Sequence, residues 1–289
     1  MSEDHQRLTP ARPDLADEKL RGIVSAERYA TGVERVVVWP SAPLRRAPVP
    51  DAPLDTEALM GERTIVYDEH EGWSWVQLQG DRYVGYMPSE ALDRLGAPPT
   101  HRVTALRTFV YPGPNLKLPP LSHLSLGATI SVSGTSGEYA QLANGGFAWT
   151  GHLAGLEQHE ADFVAVAERL VGIPYLWGGK TSLGLDCSGL VQLSLDMAGI
   201  AAPRDTDMQE EALGRPVQLS GTLSGLQRGD LVFWRGHVGI MLDADRLLHA
   251  NGHHMLVAVE PLAVAEARIR TNTFGPITSI KRLGRLGAQ

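Results

Sequence analysis

The hydrophobic periodicity of this 289-residue chain changes near residue 156, and one kind of layer cannot satisfy both halves. Upstream, apolar residues fall into short strand-like runs: Arg63–Asp68, Trp73–Gln79 and Tyr83–Met87. Turn pairs such as Glu71-Gly72 and Gly80-Asp81 separate them. Short strands at such spacing predict a small all-β barrel. Val36 to Trp39 adds a strand that Pro40 stops, and "APLRRAPVPDAPLD" (42–55) is too proline-rich for regular structure and reads as a long loop. Residues 1–30 are polar, with a short helical pattern around Leu15 to Val24.

Residues 101–153 repeat the texture. "WSWVQLQGDRYVGYMPSEAL" (73–92) and "EYAQLANGGFAWTGHL" (138–153) both run strand, glycine turn, strand, aromatic, then a short capping segment. This is a weak internal duplication, with "GAPPT" (96–100) as the linker. Downstream of Leu156 the spacing becomes helical. "EADFVAVAERLVGIPY" predicts a helix ended by Pro174, and "LDCSGLVQLSLDMAGI" predicts a second that starts near Asp186. "DLVFW", "HVGIML" and "RLLHA" follow as strands. The C-terminal part is therefore expected to be α+β, with helices first and a sheet after.

Bulk properties narrow the function. With 43% hydrophobic residues the parts can each bury a core, and the net charge of −7 argues against a nucleic-acid partner. No apolar run of 18 residues exists, so no membrane helix is expected. The polar N-terminus lacks the basic start and apolar stretch of a signal peptide, and a lone cysteine makes no internal disulfide. The expectation is a cytoplasmic monomer.

That cysteine, Cys187, falls in the first turn of the second helix. Unpaired amides and the helix dipole there favour an anion and lower a thiol's pKa. The local amide also suits an oxyanion. The competing reading is a small buried hydrophobe. His237 and His249 lie on consecutive predicted strands. A three-residue turn at Asp243-Ala244-Asp245 would pair Leu242 with Arg246 and Gly239 with His249. The two imidazoles then become diagonal neighbours on one face, with Gly239 leaving room between them. His237 would serve as base to Cys187 and His249 as its orienter. A two-residue turn would separate them and leave two unrelated polar residues. Zinc held by His237, His249, His253 and His254, with Cys187 or Asp243, is the weaker alternative, since no short-spaced ligand pair precedes the hairpin. There is no P-loop, no dinucleotide fingerprint and no other cofactor signature.

"GIPYLWGG" (172–179), "LDCSGLVQ" (185–192), "PRDTDMQ" (203–209), "LQRGDLVFW" (226–234), "HVGIML" (237–242) and "LLHANG" (247–252) occur in the order seen in NlpC-type cysteine peptidases, which this region resembles. The resemblance implies a papain-like α+β domain over 156–289, with Cys187 as nucleophile, His237 as base and His249 as the third polar residue. After the polar/helical segment over 1–30, SH3-like domains are expected over 31–97 and 98–155. Two such modules before the peptidase resemble the branch that cuts after L-Ala-γ-D-Glu in peptidoglycan stem peptides and requires a free amine on L-alanine. Within that likeness Asp186 would face the amine, its other role being an N-cap. Tyr83 would contact the same amine, and an acidic group among Asp51, Asp55 and Glu57 would add to it. Tyr175 and Trp177 would wall the cleft, although Trp177 equally suits core packing. Ser188 and Thr206 would hydrogen-bond the substrate, while Arg204 and Asp205 brace the loop. A wall endopeptidase, a non-catalytic binding protein and an acyltransferase stay open.

Overall fold

The computed structural model describes residues 7–218, 223 and 225–284. The chain divides into two compact units, Met1–Glu157 and Gln158–Gln289.

In the first unit, residues 33–93 form a seven-stranded antiparallel sheet. Three sequence-expected strands appear as Arg63–His70, Trp73–Leu78 and Val84–Pro88, whereas the expected Val36–Trp39 run is shifted to Val33–Val37, with Val38 and Trp39 beyond its end. The proline-rich stretch departs from expectation. Ser41–Arg45 is a strand paired with Leu54–Leu59, and only the connection between them is a loop. Alternation decides this: Ala42 and Leu44 are wholly buried, and that burial outweighs the ladder donor that Pro43 lacks. The helical pattern near the N-terminus is also replaced. Leu15–Asp17 is a short strand parallel to Arg28–Ala30, followed by a 3-10 turn over Glu18–Leu20. Leu15 is buried against the Tyr67 and Trp75 cluster, and the Tyr67 hydroxyl donates to Asp17 at 2.9 Å. Tertiary burial has overridden a weak local preference.

Residues 101–155 form smaller sheets of two and three strands. The duplicated segments follow one local path. Trp73–Leu78, Val84–Pro88 and the 3-10 turn Ser89–Ala91 correspond to Tyr139–Leu142, Phe147–Trp149 and Thr150–His152.

The second unit is built on a six-stranded sheet with the order Arg215–Pro216, Ser279–Arg282, Asp230–Trp234, His237–Met241, Arg246–Asn251, Leu256–Pro261. The helix Cys187–Met197 packs against the two histidine strands, with Leu190, Val191 and Leu195 fully buried. The helix Leu262–Asn272 joins Val232, Trp234, Met241 and Leu247 in a further core cluster. The first helix of this unit, Phe163–Arg169, is shorter than expected. Leu170 is its C-cap and Gly172 turns with φ +87, so it ends before Pro174.

Candidate active site

Asp186 starts the cysteine helix. Its Oδ1 accepts the Gly189 amide at 2.7 Å, an N-cap that fixes Cys187 in the first turn. The carboxylate does more than cap. Oδ2 accepts the Gly178 amide at 2.9 Å, and Arg204 donates to Oδ1 at 2.9 Å and to Oδ2 at 2.6 Å. Arg204 is 1% exposed, and it also donates to the Ser188 hydroxyl at 2.8 Å. Ser188 in turn donates to Asp186 at 3.3 Å. Asp186, Ser188 and Arg204 therefore form one buried brace that ties the glycine-rich loop to the helix. A Cβ at Gly189 would collide with the carbonyl oxygen of Gly179, so the glycine after the cysteine is part of the fit.

The histidine hairpin has the register that brings both rings to one face: Ile240 pairs with Leu248 and Met241 with Leu247. His237 Nε2 lies 2.8 Å from His249 Nδ1. A Cβ on Gly239 would strike the Leu247 side chain and crowd His249. The ladder between these strands stops at Ile240, and beyond it the Val238 backbone approaches the Cys187 sulfur closely enough to favour its thiolate. The thiol also meets Thr206 Oγ1 at 3.7 Å. Thr206 is the first residue of the helix Thr206–Ala212, which the sequence reading missed. His237 packs parallel to Phe274, with ring centroids 5.6 Å apart, and beside Trp234.

The electrostatics reverse one expectation. The helix N-terminus was expected to lower the thiol pKa. Instead burial, with the Asp186 charge behind it, pushes Cys187 up to about 11 against the Thr206, Val238 and Arg204 contributions. Burial pushes His237 down to about 3, with His249 and Arg268 adding to the shift. His249 is lowered too, by burial against the pull of Glu260. Burial therefore opposes charge on both the Cys187 thiol and the His237 imidazole.

Beyond His249 the sequence reading stopped, but the hydrogen bonds continue. His249 Nε2 lies 2.8 Å from Glu260 Oε1, and Arg268 donates to Glu260 Oε2 at 2.7 Å and Oε1 at 2.5 Å. Glu260 is 9% exposed. A charged residue at an inward position of "LVAVEP" was the available signal. His249, His254 and Glu260 also present donor atoms within 4.8 Å of one another, a different set from the zinc ligands weighed in the sequence. The Arg268 guanidinium already compensates Glu260, and His254 turns its Nδ1 toward Asn251 Oδ1 at 3.0 Å.

The remaining expected residues divide. Tyr175 lies close enough to Cys187 and Asp186 for their charges to add to the burial that raises its hydroxyl pKa. Trp177 is 67% exposed, which removes core packing as its role. Tyr83 is buried with the core cluster of the seven-stranded sheet. In the proline-rich segment Asp55 pairs with Arg46 at 2.7 Å, and Glu57 accepts from Ser41 at 3.4 Å.

Residues 172–271 match the NlpC/P60 family, and residues 44–92 match the domain described as "Bacterial dipeptidyl-peptidase Sh3 domain". Dipeptidyl-peptidase 6 of Lysinibacillus sphaericus is 33% identical over 129 residues, which is 44% of this chain and 46% of that protein. The gamma-D-glutamyl-L-lysine dipeptidyl-peptidase of Bacillus cereus (strain ATCC 10987 / NRS 248) is 26% identical over 246 residues, 72% of this chain and 71% of the relative. The chain thus matches less than half the length of the first relative and about seven-tenths of the second. A crystal structure of an NlpC/P60 family protein from Bacillus cereus shares the fold, with a TM-score of 0.71 at 21% identity over 86% of this chain and 99% of that one.

Proposed function

For a chain that carries an NlpC/P60 domain behind a dipeptidyl-peptidase SH3 domain, we propose a cysteine peptidase that releases L-Ala-γ-D-Glu from murein stem peptides bearing a free N-terminal L-alanine. It cleaves the bond between γ-D-glutamate and meso-diaminopimelate or L-lysine. Its place is the recycling of released wall peptides in the cytoplasm, because stems still joined to muramic acid offer no free alanine amine.

The observation that carries this reading is the buried His237–His249 pair on strands that pack against the capped helix whose first residue is Cys187, with the Val238 backbone next to its sulfur. His237 Nδ1, the nitrogen not engaged by His249, takes the thiol proton as sulfur attacks the γ-carbonyl carbon of D-glutamate. The first-turn amide of Cys187 stabilises the oxyanion. His237 returns the proton to the departing α-amine of the diamino acid, leaving a thioester on Cys187. Water, deprotonated by His237, then frees the dipeptide. Tyr175 and the exposed Trp177 supply the cleft wall. Asp186 contributes its charge near the thiol, although its hydrogen bonds serve the brace first. The names of the relatives from Lysinibacillus sphaericus and Bacillus cereus support the dipeptidyl activity.

The test is hydrolysis of L-Ala-γ-D-Glu-meso-diaminopimelate beside its N-acetylated form, by the native protein and Cys187→Ala. The expected result is release of L-Ala-γ-D-Glu from the free-amine peptide alone, abolished by the substitution. Equal cleavage of both peptides would replace the reading with an endopeptidase, and cleavage of neither would remove peptidase activity.

A further inference from the structure

The polar chain behind Cys187 extends two residues past the histidine pair, and its proton count follows from its far end. Arg268 has only donors, and it gives two of them to Glu260. Burial opposes the Glu260 charge, but the Arg268 and His249 hydrogen bonds outweigh it and hold the carboxyl well below the ordinary range. An ionised carboxylate can only accept, so the hydrogen between Glu260 and His249 sits on His249 Nε2. A neutral His249 then presents a lone pair at Nδ1. His237 Nε2, 2.8 Å away, must supply the hydrogen, which leaves His237 Nδ1 unprotonated.

We propose that Glu260, clamped by Arg268, is a positioning residue that sets the tautomers of His249 and His237 so that the base nitrogen of His237 is open to the Cys187 proton. This rests on the reading of Cys187 as nucleophile. Strand register explains how three strands assemble the relay. His249 pairs with Ala258 and Leu247 with Glu260, so Glu260 is the diagonal neighbour of His249 on the same face. His237 stands in the same diagonal relation to His249 across the other ladder. The helix Leu262–Asn272 then returns Arg268 over the carboxylate.

The titratable and charged groups acting on the two histidines are Glu260, Arg268 and His254, whose Nδ1 lies 3.9 Å from Glu260. Glu260 raises and Arg268 lowers the proton affinity of His237. Removing each should therefore move His237 in opposite directions, which loss of packing alone would not do.

The experiment uses full-length protein labelled with 15N-histidine, read by two-bond 15N–1H correlations at neutral pH, with steady-state kinetics in parallel. Native protein should show the Nε2–H tautomer on both His237 and His249. Glu260→Gln, which can donate as well as accept, should populate Nδ1–H on both rings and lower kcat on the order of a hundredfold with KM little changed. Arg268→Met, which removes the clamp, should weaken the Nε2–H preference of both rings, lower kcat less than Glu260→Gln does and move the acid limb of the kcat profile upward. An Nδ1–H signal on His237 in the native protein would overturn the proposal, even if Glu260→Gln fails to fold. So would native tautomers and native kcat in Glu260→Gln. The native spectrum needs no turnover, so a protein that shows these tautomers but cleaves no stem peptide sinks the proposed activity and leaves the tautomer assignment standing.

Discussion

Two carboxylate–arginine pairs serve the second unit, Asp186–Arg204 and Glu260–Arg268, and they do opposite work with the same ingredients. Asp186 and Arg204 clasp backbone: the carboxylate takes the Gly178 and Gly189 amides, and every bond in the brace holds a loop or a helix end still. Glu260 and Arg268 clasp an imidazole, and the bond from His249 leads to a second imidazole whose free nitrogen faces chemistry. In the proposed mechanism the first pair fixes where the nucleophile sits. The second fixes which atom of the base carries a hydrogen. Burial differs accordingly. Arg204 is sealed, whereas the Arg268 side chain keeps 19% of its surface and can turn to water if its partner is lost.

Breaking the brace should therefore cost most in stability. Asp186→Ala removes the carboxylate that faces a sealed guanidinium and the cap of the cysteine helix, and should destabilise the second unit by about 3–5 kcal/mol. Urea unfolding followed by tryptophan fluorescence measures it, and a loss below about 1 kcal/mol would dissolve the contrast with the relay. Glu260→Gln should cost less, about 1–3 kcal/mol, while reducing turnover far more than its stability loss accounts for. A thermal melt run beside the kinetics separates the two effects.

Acidification sharpens the comparison between the units. The folded pKa of His237 is depressed from 6.5 to about 3, so the unfolded chain binds the proton more readily and stability falls as pH drops below 6.5. For His237 alone the loss from pH 7 to pH 5 is about 2 kcal/mol, and the lowered His249 adds in the same direction. In the first unit the carboxyls of Asp14, Asp68 and Glu18 are lowered, so their contribution is lost only as pH falls below the ordinary values of 3.8 for the two aspartates and 4.5 for the glutamate. Scanning calorimetry at pH 7 and pH 5 should show the transition of the second unit moving first. Equal shifts in both units would contradict the burial of the histidine pair.

Smaller effects test the edges. The free thiol should be alkylated slowly near neutral pH and faster as pH rises toward the Cys187 value of about 11. A plateau of reactivity below pH 7 would mean a standing thiolate. Trp177→Ala, at an exposed position, should change stability by less than about 0.5 kcal/mol yet raise KM for the stem peptide. An unchanged KM would remove Trp177 from the cleft.

Parts of this site were legible because they are local. "LDCSG" carries cap, cysteine and helix start within five residues, and the histidine register follows from one three-residue turn. Arg204 was expected to brace its loop, but its pairing with Asp186 and Ser188 crosses a turn that no periodicity encodes. Glu260 and Arg268 were missed because their strand and helix follow the recognisable motifs, and an inward glutamate has meaning only once its neighbours are known. The thiol pKa was misjudged for a related reason: the dipole of a helix start is visible in sequence, while the burial that outweighs it is a tertiary property. The proline-rich strand Ser41–Arg45 was lost to a rule about ladder donors that buried alternation overrode.

The most direct measurement is the identity of the covalent intermediate. Native protein mixed with L-Ala-γ-D-Glu-meso-diaminopimelate, acid-quenched during turnover and digested, should carry an L-Ala-γ-D-Glu acyl group on the peptide containing Cys187 and on no other. Turnover without that adduct, or with an adduct at another residue, would contradict the account.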